Sequence, residues 1–145
     1  MRVVNKDLLN KINTLDLSPI KGYLVKHFNW SRNAVDELGA EYRRFLFLIG
    51  KYGPDAIVPW NRNVMAFWKV HILHTRKYFE DCQNVLGFYL HYDPSVSGLF
   101  RKGVLKDGSN VTPAEQMGLS QADAPALLSK TIDLYTKEYN KSPLG

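Results

Sequence analysis

The sequence is short of almost everything that identifies a function at sight. It has one cysteine, Cys82, among 145 residues, so an internal disulfide is impossible and a reducing compartment is the natural setting. It has no run of 18 apolar residues, which excludes an apolar membrane-spanning helix. Its first dozen residues carry a charge every few positions and no apolar stretch, so they do not read as a secretory leader, and the cytoplasm is the expected location. The glycines are isolated, which rules out a phosphate-cradling loop. There is no His-Glu-x-x-His motif and no paired-cysteine metal motif. The 19 Lys and Arg residues outnumber 14 Asp and Glu, but no run of five or more basic residues occurs. Nucleic acid is therefore not an expected partner.

What is present is a globular composition, 45% hydrophobic and 23% charged. A chain of this length buries roughly two thirds of its unfolded surface and needs neither a disulfide nor a metal to fold. Alternation with period two is scarce, whereas apolar residues recur every three or four positions. The reading is an all-α domain spanning 1–145, a single compact bundle of five to six helices with one long irregular loop.

Residues 3 to 14 form a first helix with Val4, Leu8, Leu9 and Ile12 on one side. Ser18 caps a second helix with Pro19 at its first position, running to about Phe28. Ser31 caps a third, whose apolar positions are Val35, Leu38, Tyr42, Phe45, Leu46 and Ile49; Gly53-Pro54 stops it. After a loop containing Pro59, a fourth helix is expected from about Arg62 to Leu86, with Gly87 ending or bending it. Residues 93 to 111 read as an irregular surface loop with a small extended piece near Gly103 to Leu105. Thr112-Pro113-Ala114-Glu115 reads as a capping box opening a one-turn helix that Gly118 closes. A last helix covers about 121 to 139, with Leu128, Thr131, Ile132, Tyr135 and Tyr139 inward. The third, fourth and last helices are long enough to pack together, and the aromatic third and fourth form the expected centre of the core.

The fourth helix carries the chemistry. Three of the four histidines, His71, His74 and His91, fall between residues 67 and 94. At helical spacing His71, Thr75, Tyr78 and Cys82 share one stripe, and His74, Tyr78 and Asp81 a neighbouring one. Imidazole, phenol, carboxylate and thiol groups are those that bind borderline metals or move protons. On an unbroken helix Cys82 stands about 16 Å along the axis from His71, at ~1.5 Å per residue, too far to share an ion. A divalent transition metal would instead be held by His71, His74 and a loop ligand such as His91. Asp81 would orient His71, and Lys69 would meet an anionic substrate. The opposing reading is structural: a histidine among aromatic residues is usually a satisfied core group, and a single cysteine a small buried hydrophobe.

The same block carries a resemblance. Trp68, His71, Ile72, Leu73, Thr75, Tyr78, Asp81, Cys82, Gly87, Leu90, His91 and Pro94 stand where the glycine-rich domain-containing protein-like family has its conserved pattern. Tyr42 to Leu46, Val58-Pro59 upstream and Leu134-Tyr135, Glu138-Tyr139 downstream also resemble it, so the likeness covers about residues 40 to 140. Two positions depart: Lys69 and Tyr92 stand where the family has histidines. The resemblance implies a helical fold and a place to look, not a reaction. Two functional expectations follow. One is a small helical binding or interaction domain, with a protein or small-molecule partner and no membrane, whose seam is Trp68, Lys69, His71, His74, Tyr78, Asp81, Cys82 and His91. The other is a metal- or haem-dependent enzyme or accessory protein using that seam as its site.

Overall fold

The computed structural model describes residues 2–92, 103–104, 110–111 and 123–143, with backbone alone at 2–4, 103–104, 110–111 and 123–125. The architecture is all-α, as the periodicity predicts. Its elements are α1 (Arg2–Thr14), α2 (Ser18–Phe28), α3 (Arg32–Tyr52), α4 (Arg62–Leu73), α5 (Thr75–Asp81), a π-helical turn (Cys82–Leu86), the two-residue strands β1 (Gly103–Val104) and β2 (Asn110–Val111), and α6 (Asp123–Tyr139). The expected extended piece is therefore half of a short antiparallel ladder, with Gly103 opposite Val111. The expected capping box at Thr112 and its one-turn helix lie outside the described residues. No helix among the described residues is long and apolar enough to cross a membrane.

Backbone contacts divide the chain into two compact units. The first comprises residues 1–53 and 63–90. Its axis is α3, whose six expected apolar positions are all buried, with Val35, Tyr42 and Phe45 fully so. The Ser31 hydroxyl accepts the Ala34 amide at 3.1 Å, the cap that starts this helix. Leu8 and Ile12 of α1 pack inward, whereas Leu9 is 44% exposed, against expectation. One residue further along the helix turns the side chain about 100° from Leu8, out of a contact stripe that here is narrow. Gly50 makes the approach of α1 possible: a Cβ there would lie 2.7 Å from a Leu8 methyl. The Arg43 guanidinium also donates to the Ile12 carbonyl near the end of α1.

In α2, Ile20 and Leu24 are fully buried. The expected Ser18 cap is displaced. Ser18 is the first helical residue, and the Asp16 carboxylate accepts both its amide, at 3.0 Å, and its hydroxyl. The Ser18 hydroxyl is thus spent as a donor to Asp16, and it is that carboxylate which takes up the first amide of α2.

The second unit comprises residues 54–62 and 91–145. Ile57, Val58 and Trp60 are buried there. The buried Thr131 hydroxyl of α6 accepts the Val58 amide at 3.0 Å and donates to the Leu127 carbonyl at 2.9 Å, so one side chain pins an extended strap to a helix. Tyr135 packs edge-on to Trp60 with ring centroids 4.9 Å apart.

Candidate functional site

The expected unbroken helix from Arg62 to Leu86 is broken at His74. There the backbone takes φ −82° and ψ 66°, and α5 starts afresh at Thr75. Neither proline nor glycine causes this. The Nδ1–H of His74 donates to the Val70 carbonyl at 2.9 Å, the same oxygen that its own amide approaches at 3.3 Å. A side chain inserted into the helical ladder is a recognised cause of a kink. After α5, the π-helical turn is closed by the Gly87 amide on the Cys82 carbonyl at 2.9 Å, with Gly87 left-handed at φ +82°.

The break redirects the chemistry. The His71 imidazole is 2% exposed and uses both nitrogens. Its Nε2 lies 2.8 Å from Asp81 Oδ2, and its Nδ1 lies 2.7 Å from the Tyr42 hydroxyl of α3. Asp81 can only accept while ionised, so Nε2 carries the proton and the Tyr42 O–H donates to Nδ1. The Lys77 ammonium donates to the same Asp81 oxygen at 3.2 Å. Beside this row, Trp68 Nε1–H donates to the Tyr78 hydroxyl at 3.0 Å, and that hydroxyl donates to the Leu90 carbonyl. The His71 ring meets Tyr78 and Tyr42 edge-on, with centroids 4.9 Å and 5.6 Å away.

Burial favours the neutral forms of His71, Tyr42, Tyr78 and Cys82. Burial lowers the His71 pKa, outweighing the Asp81 hydrogen bond and charge, which raise it, so the ring is held neutral. Burial pushes the Tyr42 and Tyr78 phenols well up and raises the Cys82 thiol. None of the three is activated as a nucleophile. His71, Tyr78, Asp81 and Cys82, with Leu15, Leu46, Val85 and Leu86, line a cavity of about 10 Å³. That is the room of one water at most, since a single water needs roughly 10–15 Å³.

His71 and Cys82, judged too far apart on an unbroken helix, therefore line one cavity. Of the expected metal set, His74 donates from Nδ1 to Val70 and lies 5.8 Å from the Tyr23 ring, and His91 is exposed. No group of three His, Cys, Asp or Glu side chains among the described residues is placed to hold a metal ion. Lys69 is exposed and outside the cavity lining, Thr75 is exposed, and Trp68 is buried in the network. Sequence reasoning missed Tyr42, read only as an apolar position, and Lys77, which it did not pair with Asp81. Lys77 stands four residues before Asp81, the spacing at which helical ion pairs form. No protein-family model, curated protein or solved structure matches this chain.

Proposed function

We propose that this chain is a non-enzymatic helical interaction domain of the cytoplasm, and that its seam of polar groups is internal scaffolding. One observation carries the reading. Both His71 nitrogens are satisfied within the protein, by a phenol that is fully buried and by a carboxylate already shared with Lys77. A catalytic relay needs an end that meets substrate. Here the Tyr42 end is sealed, and only the Asp81–Lys77 end approaches solvent, with side chains 15% and 25% exposed. Such a satisfied network fixes how α3, α4 and α5 pack, and binding then falls to the outer surface. The family resemblance of residues 40 to 140 belongs to the same proposal: its signature residues Trp68, His71, Tyr78 and Asp81 are those that hold the helices together.

The test joins metal content to stability. Untagged protein should carry far less than one transition-metal ion per chain, and His71→Ala should lower the melting temperature. Near-stoichiometric metal, lost in His71→Ala while the melting temperature holds, would overturn the scaffold reading in favour of the metal-dependent one.

A further inference from the structure

The positive charge of the chain is not evenly shared. Residues 18–35 and 63–79 contain Lys21, Lys26, Arg32, Lys69, Arg76 and Lys77 and no Asp or Glu, leaving 13 Lys and Arg against 14 Asp and Glu elsewhere. These two acid-free stretches meet in the first unit, where the Tyr23 ring of α2 lies 5.8 Å from the His74 ring at the helix break. Around that contact sits an aromatic cluster. Tyr23 packs on His27 at 4.4 Å and near Phe28 at 6.5 Å, and Phe28 packs on Trp30 at 5.2 Å. Phe28 is 42% exposed, and Leu73, beside His74, is 65% exposed. Lys21 and Lys77 are engaged by Asp36 and Asp81, while Lys26, Arg32 and Arg76 stand exposed on the same two stretches.

Resting on the interaction-domain reading, we propose that this aromatic and basic patch between α2 and the α4–α5 break binds an acidic peptide segment of a partner protein, one that presents Leu or Phe anchors between Asp and Glu. The exposed apolar groups would take the anchors, and the exposed cations of the same two stretches would supply charge complementarity, orientation and a faster encounter. A nucleic acid is the weaker fit. The most exposed apolar group there is the aliphatic Leu73, which offers no ring face for a base to stack on.

The probe is a displayed library of random 12-residue peptides selected on the immobilised full chain, with a single-stranded 20-nucleotide oligomer titrated in parallel. Enriched peptides should hold several Asp or Glu residues beside Leu or Phe. Their synthetic versions should bind more weakly as salt rises, and lose at least tenfold in affinity with Leu73→Ser and with Lys26→Glu/Arg76→Glu. Both variants change exposed side chains, so their melting temperatures should match wild type. No enrichment, enrichment of peptides lacking acidic residues, affinity unchanged by both variants, or tighter binding of the oligomer through the same residues would each overturn the proposal. Metal content and His71→Ala melting judge the scaffold reading separately, so the two failures are distinguishable.

Discussion

His71 and Asp81 stand ten residues apart in sequence and 2.8 Å apart across a hydrogen bond. A straight helix would separate them by about 15 Å along its axis at ~1.5 Å per residue. The contact exists because the chain breaks at His74 and restarts in α5, which places Asp81 beside the imidazole that closes α4.

The Tyr42–His71 bond should show as a coupling energy. Tyr42→Phe leaves Nδ1 of a buried imidazole without its donor, at an expected cost of about 1–3 kcal/mol. His71→Ala strands both Tyr42 and Asp81 and should cost about 2–4 kcal/mol. Because the two changes remove one shared interaction, urea unfolding of the double variant should fall short of additivity by ~0.5–3 kcal/mol. Strict additivity would mean that the hydrogen bond contributes nothing.

Stability should depend on pH through His71. In the unfolded chain the imidazole titrates near ~6.5, and burial in the fold lowers it. Above the unfolded value the ring is neutral in both states and its contribution is fully present. As pH falls below that value the unfolded chain takes the proton first, so stability is lost until the lowered native value is passed. The groups around the ring are Tyr42 from α3, Lys77, Tyr78 and Asp81 from α5, and His74; Asp81 opposes the lowering while Lys77 and His74 assist it. Unfolding free energies of wild type and His71→Gln, measured from about pH 7 to pH 5, should converge as pH falls, at up to ~1.4 kcal/mol per pH unit. Parallel curves would remove His71 as the titrating group.

Cys82 should be chemically silent in the fold. It is 4% exposed and burial raises its thiol pKa, so thiolate is scarce at neutral pH. A thiol-specific chromogenic disulfide should label it only at the rate at which the fold opens, and at once in denaturant. Immediate stoichiometric labelling of the native chain would contradict the closed seam.

Two glycines should respond to alanine with opposite signs. Gly87 sits at φ +82°, where a Cβ is strained, and Gly87→Ala should cost about 1 kcal/mol. Gly22 lies inside α2 with open space around its Cα, and Gly22→Ala should add about 0.5–1 kcal/mol through lower unfolded-state entropy and better helix propensity. Thermal melts of the two variants decide this directly.

Much of the fold was legible from pattern. The Ser31 cap, the six-position stripe of α3 and the Gly53 stop are local signals, and each stands where the periodicity put it. The seam was legible as a set of residue types between Trp68 and Cys82, and the structure does bury His71, Tyr78 and Cys82. The break at His74 was not legible, because apolar spacing runs through it and its cause is an imidazole bonded to a carbonyl and packed on a ring from α2. That miss inverted the geometry, separating His71 from Cys82 and grouping it with His74 and His91. Tyr42 was hidden for a related reason: its ring satisfies an apolar pattern, and only a partner 29 residues away gives its hydroxyl a role.

The sequence by itself determined an all-α chain, its main helix boundaries and the segment where polar chemistry concentrates, since periodicity, caps and composition act over a few residues. The tertiary structure alone decided that His71, Tyr78 and Cys82 are turned inward while Lys69 and His91 are not, and which partners each meets. Hydrogen-bond direction and burial belong to groups that meet only after the chain has folded back, and a rotation at one residue is enough to reassign every partner.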